Sequence, residues 1–555
     1  MTTGVLPTES SNVARFVSRR CEEAPGELAV AAPQAGGHAS FAQWTWADLE
    51  QRSSALARGL RALGLAAEDR VCVFVRPGLE WIALIHGLFK LGAVPVLIDP
   101  GMGRRGVLGA IERVRPRALI AVPTVHAARV LQPAAFRSVE IAVTSGRHRL
   151  WTSAALLPLM EQTGEAFAPI PRAARDPAAI LFTSGSTGPA KGVCYEHGMF
   201  QAQVEMLRAT YDFAPGSRDL ACFPLFALFG PALGMASVFP EMDFTRPAGC
   251  DPSKIAGAIE RFQVRSSFGS PAIWRRVIPW CEARSLRLDS LRQLLIAGAP
   301  VEADLVRRAR DVIAPGGEVF TPYGATEALP VTHVEGALLA GELGTRASLG
   351  EGTCVGRAVW GVDLRLIRIG DVAIEHWDDE LFVQPGEAGE ICVRGDNVTR
   401  EYAFDPQATA LAKIRDGDRV WHRMGDLGRF DAQGQLWFLG RKSHRLETAS
   451  GMLFPVPIEN VFRLHAAIGR CAVVGLGQRG SERPILIVEL SSGKIPRRNK
   501  DRERVAAEIL QAGAALSGGA SVERVLFKRD FPLDVRHQAK IDRIALKHWA
   551  QEQVL

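Results

Sequence analysis

Helical and strand-like hydrophobic patterns alternate along the first 180 residues, and this alternation limits the possible folds more than any other feature of the sequence. The periodicity predicts strands at 70–75, 93–98 and 118–122, and helices at 48–63, 79–91 and 104–114. Elements in this order pack as a largely parallel sheet covered by helices. The same alternation resumes between 178 and 312, so we predict an α/β fold.

The hydrophobic pattern changes in the last third of the chain. From about 355 to 438, short β-like runs are separated by Gly and Asp turns, which predicts a β-rich subdomain. After Gly440, apolar runs and an amphipathic helical pattern predict a smaller α+β unit. We therefore predict an N-terminal domain over 1–439, made of helix-covered, mostly parallel sheets plus the β-rich subdomain, and a C-terminal domain over 440–555.

Composition and charge exclude several classes of protein. With 47% hydrophobic and 23% charged residues, the chain is not collagen-like, disordered or a disulfide scaffold. The formal net charge of +6 is small for 555 residues. Because nucleic-acid grooves need clustered charge, we predict no nucleic-acid partner. The nine cysteines form no CxxC pair, which predicts neither a zinc site nor a disulfide framework.

Two segments bear on localisation. The N-terminal segment lacks the basic region and apolar core of a secretory signal. The longest apolar stretch, 81–100, is interrupted by His86, Lys90 and Asp99, so it is more typical of a helix followed by a buried strand than of a membrane span. We expect a cytoplasmic protein without a transmembrane segment.

The strongest local signal is the segment 181–192, which reads Leu-Phe-Thr-Ser-Gly-Ser-Thr-Gly-Pro-Ala-Lys-Gly. Gly185 and Gly188 let backbone N–H groups approach an anion. The hydroxyl residues Thr183, Ser184, Ser186 and Thr187 add donors, and Lys191 adds a positive charge. The segment is not a Walker A loop, because Gly192 follows the lysine where that motif has Ser or Thr. A polyphosphate-binding loop is a better interpretation than a flexible surface loop.

Further motifs follow in a fixed order and cover nearly the whole chain. They are Ala297-Gly-Ala-Pro-Val301, Tyr323-Gly-Ala-Thr-Glu327, Met424-Gly-Asp-Leu-Gly428, Gly440-Arg441 and Lys540 near the C-terminus. Together with the phosphate loop, they make the chain resemble the adenylate-forming superfamily of acyl-CoA synthetases, luciferases and peptide-synthetase adenylation domains. This resemblance implies ATP and Mg²⁺ as cofactors and a mobile C-terminal lid.

The resemblance also implies roles for individual residues. The phosphates would be bound by Thr183, Ser184, Gly185, Ser186, Thr187, Gly188 and Lys191, and the adenine would be flanked by Gly298, Ala299, Pro300, Tyr323 and Gly324. Thr326 would contact phosphate, Glu327 would hold Mg²⁺, Asp426 and Arg441 would contact the ribose, and Lys540 would be the catalytic lysine.

General chemistry agrees with these roles without requiring them. Attack of a carboxylate on the α-phosphate concentrates negative charge, which preorganised cations and donors stabilise. Mg²⁺ needs a hard oxygen ligand such as Glu327. Taken alone, however, Asp426 is as typical of a turn, Tyr323 of strand-end packing and Lys540 of a polar surface.

The segment 223–235 is the candidate acyl pocket, and its predicted lining residues are Phe226, Ala227, Leu228, Phe229 and Gly230. Many relatives place a His or a bulky aromatic residue where this chain has Ala227. Small apolar residues favour a dry channel for a long alkyl chain, in which each buried CH₂ contributes about 0.8 kcal/mol. The same spacing also fits the start of a core helix, and both interpretations stay open.

Several segments resemble one branch of the superfamily, the β-lactone synthetases of bacterial long-chain olefin biosynthesis. These segments are the acyl-pocket run with Pro240-Glu-Met-Asp243, Cys194-Tyr-Glu-His-Gly198, and Asp534-Val-Arg-His537. The resemblance implies ATP-dependent conversion of a long-chain 2-alkyl-3-hydroxyalkanoic acid to a β-lactone through an acyl adenylate, with release of pyrophosphate and AMP. It also implies, as a further hypothesis, association with other enzymes of that pathway.

Two alternative functions remain at this stage. The first is a long- or medium-chain fatty acyl-CoA ligase, which shares the adenylation step. The second is a non-catalytic acyl- or nucleotide-binding scaffold. The base for the 3-hydroxyl proton is also open between His197, His537 and the leaving phosphate. Ser443 stands where the superfamily hinge often has Asp, and Ala539 where many relatives have Gly before the lysine.

Overall fold

The computed structural model describes residues 10–34, 40–149, 151–183, 190–514, 521–533 and 541–554. Its α-helices are α1 (Arg15–Glu23), α2 (Trp46–Ala62), α3 (Leu79–Leu91), α4 (Gly103–Val114), α5 (Pro123–Leu131), α6 (Leu156–Met160), α7 (His197–Tyr211), α8 (Gly230–Leu233), α9 (Pro252–Phe262), α10 (Pro271–Glu282), α11 (Ala303–Val312), α12 (Gly336–Ala340), α13 (Glu342–Arg346), α14 (Pro406–Ala412), α15 (Pro455–Phe462), α16 (Asn499–Ala514) and α17 (Arg543–Val554).

The strands of the described residues form four sheets. They are β1 (Leu28–Pro33), β2 (Phe41–Thr45), β3 (Arg70–Phe74), β4 (Val94–Ile98), β5 (Ala118–Ala121), β6 (Ile141–Thr144), β7 (Ala154–Ala155), β8 (Pro177–Thr183), β9 (Lys191–Glu196), β10 (Arg218–Leu220), β11 (Ala236–Val238), β12 (Ser266–Gly269), β13 (Gln293–Ile296), β14 (Glu318–Ala325), β15 (Ala328–Glu335), β16 (Thr353–Ala358), β17 (Asp363–Ile367), β18 (Gly389–Arg394), β19 (Tyr402–Ala403), β20 (Lys413–Asp416), β21 (Arg419–Phe430), β22 (Leu436–Arg441), β23 (Leu446–Thr448), β24 (Gly451–Leu453), β25 (Ile468–Leu476), β26 (Arg483–Leu490) and β27 (Arg524–Phe527).

An eight-stranded sheet contains the alternating elements of the first 180 residues. Its strand order is β19-β9-β8-β4-β3-β5-β6-β7. The strands from β8 to β7 along this order are parallel, and β9 and β19 are antiparallel additions at one edge. Leu56 of α2, Leu84 of α3 and Val71 of β3 share one buried cluster. Burial of these helical apolar faces explains why the sequence periodicity was informative here.

A fourteen-stranded sheet combines β1 and β2 with strands of the region 218–441. Strands β1, β11, β10, β12, β13 and β14 are parallel neighbours. From β14 the sheet continues through β15, β16, β22, β21, β18 and β17 with antiparallel pairing. The β-rich region that begins near residue 355 is therefore an antiparallel extension of this sheet.

The chain after β22 builds a separate three-stranded sheet, β25-β26-β27, and a two-stranded sheet, β23-β24. One face of the three-stranded sheet packs on α15 and α16 through Phe462 and Ile509. The opposite face packs on α17 through Leu546 and Ala550. This arrangement is the α+β unit that the sequence predicted.

The predicted α/β class is confirmed. Helix α3 coincides with its predicted range, and α2, α4, β4 and β5 differ from theirs by one or two residues at their ends. Among the helices of the described residues, none is both long and apolar enough to cross a membrane.

Candidate active site

A cavity of about 750 Å³ lies where the two large sheets meet the segment after β22. Its wall contains a polar group of side chains, which we define as Tyr323, Glu327, Asp426 and Arg441, and an aromatic group, which we define as Phe200, Phe226, Phe229 and Phe268. The two groups come from distant parts of the chain and border one continuous space.

Asp426 is held by two side chains from neighbouring strands. The Tyr323 hydroxyl of β14 donates to Asp426 Oδ2 at 2.7 Å. Arg441 Nη1 lies 2.9 Å from Asp426 Oδ1, because these two residues are paired across β21 and β22. Burial and the adjacent carboxylate raise the pKa of the Tyr323 phenol, so it stays protonated and acts as the donor.

Glu327 is oriented by Tyr402, a residue that the sequence analysis missed. The Tyr402 hydroxyl donates to Glu327 Oε1 at 2.7 Å. Lys191 Nζ lies 4.9 Å from the centre of the Tyr402 ring and Lys413 Nζ lies 5.9 Å from it. Both distances are within the range of a cation–π contact. Tyr402 therefore links the phosphate-loop lysine to the predicted metal-binding carboxylate.

Lys413 is a second residue that sequence reasoning missed. It is buried, and its ammonium donates to Thr399 Oγ1 at 2.9 Å. Burial lowers the pKa of Lys413 to about 7, against the opposing effect of Glu327. The only sequence signal was a lysine within the otherwise apolar segment 410–414.

The segments that were predicted to flank adenine and to contact phosphate also line the cavity. Gly298, Ala299, Pro300, Gly324 and Thr326 all contribute to its wall. At Gly324, a Cβ atom would lie 2.7 Å from the Ala328 carbonyl oxygen, so only glycine fits this close approach.

The phosphate loop is described only at its two ends. Thr183 ends β8 and pairs in the backbone ladder with Lys191, the first residue of β9. The predicted phosphate-binding residues Ser184, Gly185, Ser186, Thr187 and Gly188 and the predicted catalytic Lys540 lie outside the described residues. Lys191 itself lines the cavity.

The aromatic group is built around a short 3₁₀ helix, Pro224–Phe229. Phe229 stacks on Phe200 with ring centres 4.5 Å apart, and Phe226 stacks on Phe268 at 5.1 Å. Of the predicted pocket residues, Phe226, Leu228 and Phe229 line the cavity, whereas Ala227 and Gly230 are buried but do not border it. Residues three apart in a 3₁₀ helix share a face, so Phe226 and Phe229 border the cavity together.

A buried ionic cluster borders the cavity beside Arg441. The fully buried Glu390 of β18 lies 2.6 Å from Arg423 Nη2 and 2.8 Å from Lys442 Nζ. Lys442 also donates to the Gly370 carbonyl at 2.9 Å. Buried carboxylates are stable only when they are paired in this way, so the cluster fixes the start of the segment that leads out of β22.

The candidate bases for the 3-hydroxyl differ in their positions. His197 is buried, its Nδ1 accepts a hydrogen bond from the Val13 backbone N–H at 3.2 Å, and it does not line the cavity. Burial lowers the pKa of His197 to about 4. These contacts make it a structural residue. His537 lies outside the described residues.

Comparison with known proteins places the chain in a family. The AMP-binding enzyme family matches residues 17–403. Olefin β-lactone synthetases from Xanthomonas campestris pv. campestris and Stenotrophomonas maltophilia are each 41% identical to this chain, and each alignment covers 98% of both proteins. The structure of ATP-bound MatB from Rhodopseudomonas palustris shares the fold, with 21% identity, a TM-score of 0.78 and coverage of 98% of this chain and 99% of that one. This chain belongs to the AMP-binding family of adenylate-forming enzymes.

Proposed function

We propose that this protein is a β-lactone synthetase that uses ATP to convert a long-chain 2-alkyl-3-hydroxyalkanoic acid into a β-lactone. The observation that carries the proposal is that the polar group and the aromatic group line the same continuous cavity. The identity of 41% to two olefin β-lactone synthetases supports this choice over an acyl-CoA ligase.

The first step forms an acyl adenylate. An oxygen of the substrate carboxylate attacks the α-phosphorus of ATP, the bond to the bridging α–β oxygen breaks, and pyrophosphate leaves. In this proposal Asp426 and Arg441 bind the ribose, Tyr323 packs on the adenine, and Lys191 neutralises phosphate charge. Side chains held in place before the reaction stabilise developing charge at little reorganisation cost.

The second step closes the ring. The substrate 3-hydroxyl oxygen attacks the activated carbonyl carbon, the bond from that carbon to the AMP oxygen breaks, and AMP and one proton are released. An intramolecular nucleophile reaches effective molarities of about 10⁵ M or more in favourable cases, although ring strain opposes closure. The dry aromatic wall protects the adenylate from water.

The polar group fits a magnesium ion bound together with ATP. Glu327 lines the cavity, and Tyr402 bonds to only one of its two carboxylate oxygens within the described part of the chain. Mg²⁺ in nucleotide sites is typically held by one or two carboxylates plus substrate phosphates. A bound Mg²⁺ would supply neutralisation of phosphate charge, and Glu327 would be its protein ligand.

The remaining assignments are part of the same proposal. In this proposal, the phosphate loop, including Thr183 to Gly188, binds the triphosphate. A C-terminal domain over 440–555 brings Lys540 to the cavity. The separate sheet β25-β26-β27 supports the division at residue 440. Contacts such as Asn460 Nδ2 to the Gly352 carbonyl, 3.0 Å, join this unit to the rest of the protein.

Product analysis tests the proposal. Purified protein is incubated with ATP, Mg²⁺ and a 2-alkyl-3-hydroxy acid, with and without coenzyme A, and products are measured by mass spectrometry. We expect AMP, pyrophosphate and a β-lactone without coenzyme A. Turnover of plain fatty acids only when coenzyme A is present would instead identify an acyl-CoA ligase.

A further inference from the structure

Gln203 lines the cavity and carries an amide oxygen without a hydrogen-bond partner among the described residues. This residue of α7 lines the cavity and is only 1% exposed. Its Nε2 donates to the Leu329 carbonyl at 2.9 Å. Its Oε1 has no hydrogen-bond partner among the described residues. Burying an amide oxygen without a hydrogen-bond partner costs free energy. A ligand that donates a hydrogen bond to this oxygen would recover that cost.

The orientation of this amide is determined by its neighbour. A backbone carbonyl can only accept a hydrogen bond, so the amide group that faces Leu329 must be the nitrogen. The oxygen then points away from Leu329, and this assignment does not depend on an arbitrary choice between the two amide atoms.

Gln203 lies between the two groups of cavity residues. Phe200, three residues earlier on α7, lies on the same helix face and stacks on Phe229. On the other side, the Gln203 side chain lies beside the Tyr195 phenol. Burial raises the pKa of this phenol, and a hydrogen bond donated by the Gln203 amide opposes that rise to a smaller extent. The Tyr195 hydroxyl donates to the Thr326 carbonyl at 2.7 Å. Gln203 is therefore adjacent both to the phosphate-contacting segment and to the alkyl-binding wall.

In a bound 3-hydroxy acid, the hydroxyl would lie between the phosphate-contacting segment and the aromatic wall, next to Gln203. The carboxylate must reach the phosphate side of the cavity, the alkyl chains must lie on the aromatic side, and the hydroxyl is two carbons from the carboxylate. We propose that Gln203 Oε1 accepts the hydrogen bond of the substrate 3-hydroxyl and makes this residue the specificity determinant for 3-hydroxy acids. This inference rests on the proposed function. Because Gln203 would bind the hydroxyl hydrogen, the oxygen lone pairs stay available for attack on the carbonyl carbon.

Ser270 is the competing acceptor. Its hydroxyl is also buried, unpaired among the described residues and part of the cavity wall. It precedes α10, and a hydroxyl rotates freely about its own bond. Gln203 is the better candidate because its bond to Leu329 fixes the direction of its free oxygen.

The test compares two acids that differ only in the hydroxyl. Pyrophosphate release is measured with a 2-alkyl-3-hydroxy acid and with its 3-deoxy analogue, for the full-length protein and for Gln203→Met. We expect kcat/KM for the hydroxy acid to fall about 10-fold, as for loss of one buried hydrogen bond, and kcat/KM for the deoxy acid to stay within about twofold. An equal loss for both acids would overturn the inference, because general damage lowers both.

Two further variants complete the test. Gln203→Glu is expected to keep the preference for the hydroxy acid, because a buried carboxyl group is protonated, donates to Leu329 and retains a free oxygen. Ser270→Ala is expected to keep the preference as well. The role of the Gln203 oxygen would be contradicted if Gln203→Glu lost the preference for the hydroxy acid over the deoxy acid. It would also be contradicted if Ser270→Ala lost this preference and Gln203→Met kept it.

The two levels of the proposal fail in different ways. If the unmodified protein releases pyrophosphate but makes no lactone, the proposed function is wrong. If it makes lactone and Gln203→Met leaves the ratio of the two kcat/KM values unchanged, only the role of Gln203 is wrong.

Discussion

In the polar group of the cavity each carboxylate is held by a hydrogen bond or ion pair from another side chain, whereas in the aromatic group the rings stack on one another. Asp426 is bonded to Tyr323 and Arg441, and Glu327 is bonded to Tyr402. Phe229 is positioned by stacking on Phe200. Hydrogen bonds and ion pairs are directional, whereas apolar packing adapts to different shapes. Under the proposed function, the polar group would therefore fix the reacting atoms, and the aromatic group would accept a range of alkyl chains.

This difference predicts that changes at the two groups affect different kinetic quantities. Substitutions in the polar group or at the phosphate-binding residues should lower the rate of adenylate formation or raise the Mg²⁺ concentration that activity requires. Substitutions at the aromatic side should change selectivity for the acid and leave nucleotide binding intact.

The largest effect is expected at the phosphate side, from Lys540→Ala. Loss of this positive charge should reduce adenylate formation by about 10²- to 10³-fold, because it removes stabilisation of the developing phosphate charge. The measurement is pyrophosphate release with circular dichroism as the folding check. Lys494→Ala, at an exposed position in the same C-terminal unit, should change nothing. A rate near that of the unmodified protein would refute the role of Lys540.

The next largest effect is expected from Glu327→Gln. The amide keeps the shape of the side chain but loses the charge, so the Mg²⁺ concentration for half-maximal activity should rise by about 100-fold. Magnesium titration of pyrophosphate release and calorimetry of ATP binding with and without Mg²⁺ measure this change. The matched control is Glu318→Gln, at an exposed position on β14. An unchanged metal requirement would count against Glu327 as the ligand.

A smaller effect of the same kind is expected from Tyr402→Phe. This change removes the bond to Glu327 and keeps the ring beside Lys191. The metal requirement should rise roughly 3- to 10-fold, as for one hydrogen bond of about 1 kcal/mol, with kcat restored at saturating Mg²⁺. Tyr211→Phe is the control, because the Tyr211 hydroxyl is buried without a partner among the described residues. If both variants respond alike, the orienting role is wrong.

The aromatic side should respond differently. Phe229→Ala removes the stacking partner of Phe200 and enlarges the cavity. KM for long-chain acids should rise by about 10-fold, while KM for ATP stays unchanged. Phe404→Ala, at an exposed position outside the cavity wall, serves as the control. An equal rise in the KM for the acid and the KM for ATP would show that the aromatic group does not act on the acid alone.

The smallest effect on activity is expected at Asp219 of β10, which is buried and does not line the cavity. Burial raises the pKa of this carboxyl to about 7, although Ser266 donates to it at 2.9 Å. Between about pH 4 and pH 7 the unfolded chain loses this proton while the folded chain keeps it, so stability falls as the pH rises, by up to about 1.4 kcal/mol per unit. Asp219→Asn should remove this dependence, which thermal unfolding at pH 5 and pH 7 would measure. An unchanged pH dependence would show that the carboxyl is ionised in the folded protein.

The sequence predicted the polar group better than the aromatic group. Tyr323, Asp426 and Arg441 are far apart in the chain, but each lies in a motif whose order identified the superfamily, and the structure brings them into contact. Periodicity located α3 to the residue because a regular element with a buried face repeats its apolar positions at a fixed interval.

Residues without a local pattern could not be predicted. Tyr402 contacts Glu327, and Lys413 lies beside Tyr402, because β19 pairs with β9 and β20 pairs with β21. The position of Ala227 away from the cavity depends on the 3₁₀ geometry of its segment, and an apolar run does not distinguish that geometry from an α-helix. Gln203 carried no signal in the sequence, because its unpaired oxygen is a property of the folded packing.

A crystal structure with a non-hydrolysable acyl-adenylate analogue, in which a sulfamate replaces the phosphate, would test the shared cavity most directly. The account predicts the ribose hydroxyls within hydrogen-bonding distance of Asp426 and the alkyl chains against Phe200, Phe226 and Phe229. Density for the nucleotide away from Asp426, or for the alkyl chains outside this aromatic wall, would contradict it.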